Sequence, residues 1–467
     1  MKSRKRQPSN LFSQQLYHDV NRRNPERTIM DNSVLYQSKL TTPEDAVITI
    51  GSGTTISMGM AMSEPPALLG ALAARLEANE LRDVSMYYFE STKIAANTIL
   101  RYELLDRIKP YCMFLSRVER ELIKRSDQEG RKVVYYVPCA FSQSVRCLTE
   151  YIKMETFLVT VSPMDRHGYF SFGIGNDYST AVARSAKRLI VEVNENMPRV
   201  FGRSLLHVSE VDAIVENNVP LLELPVPVAS PEDHKVARTI AELVPDGACL
   251  QMGVGSLPDL GCTELGERKD LGIHTECFTP GMVDLIEKGV VNNRCKKINI
   301  GKTVFTFAMG QKATYEFLHN NPAVESHPVD YVNDPAVIAR NDNVVSINSA
   351  LQIDLTGACN AEHLLGHQYS ASGGQLDFVR GAYASRGGKS IIGLHSTAAH
   401  GKVSRIVPRL DGPVTTPRND VQFVVTEFGS ADMKGKSSTE RALSLIQLAH
   451  PKFREDLLAQ AKQLHLV

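Results

Sequence analysis

Short apolar runs alternate with helix-patterned stretches along most of this chain, and that alternation constrains its fold more than any other feature. Val133-Val-Tyr-Tyr-Val137, Phe157-Leu-Val-Thr-Val161 and Leu189-Ile-Val-Glu-Val193 read as strands. Residues 46–50 and 54–60 lean the same way. After Ser63-Glu-Pro-Pro66, Leu68, Leu72 and Leu76 recur every four residues, the stripe of a helix facing a core, with Ser63 as its expected cap. Residues 179–187 are helical in pattern, and residues 439–464 predict two helices broken at Pro451. Strands separated by helices of about 10 to 15 residues argue for an α/β fold with mainly parallel sheets.

The chain has 467 residues, enough for two or three domains at roughly 100 to 200 residues each. Three prolines in Glu223-Leu-Pro-Val-Pro-Val-Ala-Ser-Pro231 predict an extended linker, after which the pattern restarts. Ile48-Thr-Ile-Gly-Ser-Gly53 and Leu250-Gln-Met-Gly-Val-Gly255 open the two halves alike. The expected division is a basic, disordered tail at 1–30, a first domain at 31–227 and a second at 228–467.

Lys plus Arg and Asp plus Glu each number 52, so the chain has no net field to gather nucleic acid or an anionic membrane. No apolar run approaches the roughly 18 residues that cross a bilayer, and no signal-peptide core follows the basic start. The eight cysteines form no Cys-x-x-Cys pair and read as buried thiols of a reducing, cytoplasmic compartment.

Several motifs fail on spacing. Gly387-Gly-Lys-Ser390 and Gly435-Lys-Ser437 end like phosphate-binding loops, but Tyr383 and Ser430 stand where the first glycine belongs. Gly253-Val-Gly-Ser-Leu-Pro258 has proline in place of a third dinucleotide-binding glycine. The thirteen histidines lack metal-ligand spacing, and no Gly-x-Ser-x-Gly elbow is present.

What remains is a set of glycine turns and nearby carboxylates. Gly253-Val-Gly255 and Gly373-Gly374 can each point backbone N–H groups at a developing oxyanion, or can each be tight turns requiring positive φ. If residues 273–278 form one strand, His274 and Glu276 share a face and Cys277 turns away into the core. Glu276 is then either an edge-strand ion-pair partner or a buried reactive carboxylate.

Long ordered strings narrow the choice. Val161-Ser-Pro-Met-Asp-Arg-His-Gly-Tyr-Phe-Ser-Phe-Gly173, Gly272-Ile-His-Thr-Glu-Cys-Phe278, Gln368-Tyr-Ser-Ala-Ser-Gly-Gly-Gln-Leu-Asp-Phe-Val-Arg-Gly-Ala382, Arg405-Ile-Val-Pro408 and Val425-Thr-Glu-Phe-Gly429 occur in one order. From about residue 35 to the C-terminus the chain resembles the acetyl-CoA hydrolase/transferase family of class I CoA-transferases, which includes 4-hydroxybutyrate, butyrate and acetate CoA-transferases. The resemblance implies two related domains of CoA-transferase type, each a mainly parallel sheet flanked by helices. It implies transfer of CoA between carboxylic acids, with acyl-CoA hydrolysis as the alternative, and assembly as a homo-oligomer, dimer or tetramer. Coenzyme A thioester is the expected substrate, with no permanent cofactor and no metal. By the same resemblance Glu276 is the covalent nucleophile, the Val254 N–H in the Gly253-Val254-Gly255 turn is one oxyanion donor, and Gly373 and Gly374 form the second turn. Asn348, Glu427 and Glu64 are implied to line the pocket, and Lys302 to meet the CoA phosphates. The chain departs from the family's commoner residues at Met58-Gly-Met-Ala-Met62, Cys277, Thr279-Pro280 and Phe428, which bear on acyl specificity. Residues 41–47 and the Glu-Pro-Pro helix resemble enzymes that act on itaconate with succinyl-CoA.

Overall fold

The computed structural model describes residues 31–225, 229–253 and 261–467. Its frame is two sheets. The first is built from β1 (Thr55–Met58), β2 (Val84–Tyr88), β3 (Ile108–Cys112), β4 (Tyr135–Tyr136), β5 (Thr156–Val161), β6 (Arg188–Val193) and β7 (Ala213–Glu216), in the order β7-β6-β5-β1-β2-β3-β4. Every pairing in it is parallel. β5 is buried along its whole length, as the continuous apolar run predicts for a strand covered on both faces.

The second sheet contains β8 (Cys249–Met252), β9 (Gly272–Ile273), β12 (Val344–Ser349), β13 (Lys389–Gly393), β14 (Phe423–Thr426) and β15 (Gly429–Asp432), with β10 (Cys277–Phe278) and β11 (Phe307–Ala308) forming a separate parallel pair. Its order is β9-β8-β12-β13-β14-β15, parallel except for the β14–β15 hairpin at the edge. In each sheet strand order reverses around the first strand, β1 or β8, and crevices for ligands open beyond the carboxyl ends of strands at such points.

The two halves share a core. Met60, Phe89, Phe141, Phe172 and Tyr178 of the first pack in one cluster with Phe278, Phe305, Phe307 and Met309 of the second. The Phe141 and Phe307 rings meet at 6.0 Å. A strand from the first half, Phe201–Gly202, pairs with Val324–Ser326 of the second. The expected boundary near residue 227 lies between the two sheets; one cluster spans both halves, and each half also has clusters of its own. Residues 226–228, inside the expected linker, and the tail 1–30 lie outside the described residues.

Local signals overrule two expectations. Residues 43–48 form the helix Pro43–Ile48, not part of a strand. The Thr42 hydroxyl accepts from the Asp45 N–H at 3.1 Å, proline occupies the first turn and Glu44 and Asp45 favour the positive helix end, which outweighs the β-branched Val47 and Ile48. Ser63 lies in a short 3₁₀ turn and does not cap the helix Pro66–Glu77. Pro65 and Pro66 bring no N–H, and the first two free amides, Ala67 and Leu68, both donate to Glu192 on β6, Leu68 at 3.0 Å. The Leu68, Leu72 and Leu76 stripe is fully buried as expected, and the final helices Ser438–Leu448 and Pro451–Gln463 divide at Pro451.

No disulfide joins the cysteines; Cys295 is exposed and Cys147 half-buried, so these two are not the buried thiols expected. Among the described residues no helix is long and apolar enough to cross a membrane.

Glu64 has a role in this frame. Its buried carboxylate accepts from the Thr92 N–H at 2.9 Å, from the Thr92 hydroxyl and from the Ala95 N–H at 3.1 Å, so it caps the helix Lys93–Ala96, not the helix that follows it in sequence. Glu64→Ala leaves those donors unmet and is expected to lower stability by about 1–3 kcal/mol, read as a shifted urea midpoint, while Glu64→Gln retains most of the loss.

Candidate active site

Glu276 sits where the chain leaves one sheet for another. The expected single strand over residues 273–278 is two, β9 and β10, in different sheets. The His274 N–H still donates to Leu250 of β8, but the Thr275 N–H turns to Val304. The Glu276 carbonyl then accepts from the N–H groups of Thr306 and Phe307 at 3.1 and 3.2 Å. Two backbone anchors on one carbonyl fix the nucleophile candidate at the crossing.

Among the described residues no cation stands against its carboxylate, and its partners there are neutral donors, not an ion pair. The Asn333 side-chain amide donates to Oε2 at 2.5 Å, and the Gly374 N–H donates to the same carboxylate. Gly374 must be glycine: a Cβ there would lie 1.8 Å from Glu276 Oε2 and 2.1 Å from Asn333 Nδ2. Gly373 has φ +52°, the left-handed conformation that glycine adopts without strain, and its carbonyl accepts from the Phe141 N–H at 3.0 Å. The turn expected at 373–374 thus reaches Glu276 and starts the helix Gln375–Ala384.

Burial pushes the Glu276 carboxyl up to about 8, and the negative charges of Asp377 and Glu90 add to it; the Asn333 and Gly374 donors oppose it by favouring the ionised form. Glu90 follows β2 with φ +23° and is half-buried. Burial and Glu119 raise its carboxyl to about 7, against the nearby Arg120. Cys277, the rival nucleophile, is buried in the shared core as expected.

His274 is buried and its Nε2 donates to the Val332 carbonyl at 2.8 Å, one residue before Asn333. Burial, with Lys296 nearby, drops its pKa to about 3, so it is neutral. His274 and Glu276 hold adjacent residues of one segment, although no continuous strand aligns them.

Other expected site residues stand along the carboxyl edge of the second sheet. Gly253 follows β8, and its N–H donates to the Ile347 carbonyl at 2.9 Å; the Asn348 side chain on β12 exchanges bonds with Gln251 at 3.3 and 3.4 Å. Glu427, after β14, accepts from the Ser396 N–H and hydroxyl at 2.8 and 2.6 Å. Val254 and Gly255 lie outside the described residues. Lys302 is not drawn into the cluster: it precedes the strand Thr303–Phe305, donates to the Pro322 carbonyl and stands 3.9 Å from Glu325. Glu64 faces the Thr92–Ala95 turn.

Sequence reasoning missed Asn333, Asp377 and Glu90. Asp377 lies within the string 368–382, but an acid in a helix's first turn is commonplace. Asn333-Asp-Pro335 reads as a plain turn, and Glu90 as a strand end.

The Glu276 carboxylate and the Gly374 turn that contacts it stand in a frame of mainly parallel sheets, and comparison gives the family. The profile of the acetyl-CoA hydrolase/transferase N-terminal domain matches residues 24–228 and that of the C-terminal domain residues 310–461. The crystal structure of RipA from Yersinia pestis is 64% identical and superposes with a TM-score of 0.92, covering 94% of this chain and 100% of that one. The succinyl-CoA:cyclohexane-1-carboxylate CoA transferase of Geobacter metallireducens is 41% identical over 92% of this chain and 97% of its own length. The 4-hydroxybutyrate coenzyme A transferase of Clostridium kluyveri is 42% identical over 93% and 100%. The chain belongs to the acetyl-CoA hydrolase/transferase family.

A carboxyl raised to about 8 in the folded state binds a proton that the unfolded chain has released above the usual value of 4.5. Stability due to Glu276 is therefore full below that value and lost as pH rises through about 8. Glu276→Gln is expected to raise the urea midpoint at pH 8 relative to wild type and to change it little at pH 4.5. Equal offsets at both pH values would contradict the raised carboxyl.

Proposed function

We propose that this chain is a CoA-transferase that moves CoA between short-chain carboxylic acids through a covalent intermediate on Glu276. The observation that carries the reading is the carboxylate itself, set where the two halves meet, with two hydrogen-bond donors and, among the described residues, no cation. A carboxylate so placed keeps the nucleophilicity that water or an ammonium partner would quench.

The Glu276 carboxylate attacks the acyl-CoA carbonyl, the C–S bond breaks, and CoA leaves as thiolate, giving an acyl-glutamyl anhydride. The thiolate then attacks the glutamyl carbonyl, releasing the first acid as carboxylate and leaving a glutamyl-CoA thioester. An incoming carboxylate reverses both steps, so no water enters the balance. Each addition puts negative charge on a carbonyl oxygen. The Gly374 N–H, already aimed at Glu276, is the donor we assign to the glutamyl oxyanion, and the Val254 N–H the one we assign to the other. Gly253, Asn348 and Glu427, along the carboxyl edge of the second sheet, are assigned to the pocket wall.

Names of the relatives support acyl-CoA and carboxylic acids as the substrate class. Within it we assign succinyl-CoA as donor, for which the Geobacter relative is named, and itaconate as acceptor, on the resemblance of residues 41–47. Met58, Met60 and Met62, all buried beside β1, supply adaptable apolar surface at this end of the first sheet. Cytoplasmic location and homo-oligomeric assembly belong to the same proposal.

The test is CoA transfer from succinyl-CoA or acetyl-CoA to a panel of acids including itaconate, 4-hydroxybutyrate, butyrate and acetate. Transfer should require an acid acceptor; CoA release at full rate without one would make the protein a hydrolase. Glu276→Ala and Glu276→Gln should each lose at least about 10³-fold in kcat with unchanged far-UV circular dichroism. Gly374→Ala, which drives a methyl group into the Glu276 carboxylate, should lose about 10²-fold. Wild-type turnover in either Glu276 variant would sink the assignment.

A further inference from the structure

Asp377 stands one turn after Gly374 in the helix Gln375–Ala384 and is buried. It shares the Asn333 amide with Glu276: that amide donates to Glu276 at 2.5 Å and also to Asp377. Its other partners come from the far half of the chain. The Ser142 N–H and hydroxyl donate to Asp377 at 3.1 and 2.8 Å. Around them, the Phe141 N–H donates to the Gly373 carbonyl at 3.0 Å and the Ser372 hydroxyl to the Cys139 carbonyl at 3.3 Å. Segment 139–142 of the first half thus grips the helix start that holds the nucleophile.

We propose that Asp377 and Asn333 are positioning residues for Glu276: they set its charge state, and through Asp377 Ser142 ties the nucleophile's aim to the contact between the two halves. This rests on Glu276 being the nucleophile. Asp377 keeps a second negative charge beside Glu276, with one neutral amide between them. When Glu276 is acylated its own charge leaves with the CoA thiolate and the repulsion ends, so Asp377 favours the covalent state over the free carboxylate. Asn333 prevents the opposite outcome, in which the two acids share a proton. The groups facing this pair are Glu90, itself beside Glu119 and Arg120, which bears on Glu276, and Arg380 and the Cys139 thiol, which bear on Asp377. Arg380 is exposed and engages Asp420 at 3.3 Å, so it does not neutralise Asp377 from within the site.

Three variants separate positioning from plain structure. Asp377→Asn keeps an acceptor for Ser142 and removes the charge; the acidic limb of the kcat/KM profile should move down by about one pH unit. The fraction of enzyme trapped as glutamyl-CoA at fixed succinyl-CoA should fall several-fold. Asn333→Asp adds a carboxylate, and the limb should move up. Ser142→Ala keeps both charges, and kcat should fall several-fold with the limb unmoved. If the limbs of Asp377→Asn and Asn333→Asp coincide with wild type, or move in the same direction, the proposal is overturned; should Asp377→Asn fail to fold, the Asn333→Asp limb decides alone. Absence of any covalent adduct in the wild-type protein would instead remove the nucleophile assignment on which the proposal rests.

Discussion

A carboxylate enclosed without a cation is costly, and the rest of this structure is arranged around keeping one in place. Taking such an ion out of water costs several kcal/mol even after relaxation. Among the described residues, Glu276 meets that cost with neutral donors, the Asn333 amide and the Gly374 N–H, and with two backbone anchors on its carbonyl. These are effective because the two halves close over them with a common core, Phe141 against Phe307 and Phe89 against Phe141. Were the halves separate bodies, water would enter and the carboxylate would relax to an ordinary surface acid.

Sheet topology supplies the location. Both sheets are parallel but for the β14–β15 hairpin, and in such sheets ligand crevices open beyond the carboxyl ends of the strands. Phe89, Glu90, Phe114 and Phe141 come from the first half, and the turn at Gly373-Gly374 from the second. A glycine Cα accepts the carboxylate at a distance that any side chain would block. The raised Glu276 carboxyl follows from this packing, and the proposed acylation would remove a charge that is poorly solvated and close to other acids.

The fold was largely legible from the sequence, because parallel strands covered on both faces write continuous apolar runs, as at residues 157–161 and 189–193, and the leucine stripe at 68, 72 and 76 marks its helix without ambiguity. Short pieces were not legible. Residues 46–48 look β-prone but obey the Thr42-Pro43 helix start, and residues 273–278 look like one strand but cross between sheets, a change set by long-range pairing with Leu250, Val304 and Phe307. Glu276 and the glycine turn at 373–374 stood out through ordered strings that resemble a family's. Asn333, Asp377 and Glu90 left no such mark, since their significance arises only when positions far apart in the sequence are brought together.

The central claim is that Glu276 carries CoA. Wild-type protein incubated with succinyl-CoA, reduced with borohydride and digested should yield a peptide in which residue 276 has become the corresponding alcohol, with no change when CoA thioester is omitted. An unmodified residue 276, or a modification found instead on Cys277, would contradict the account.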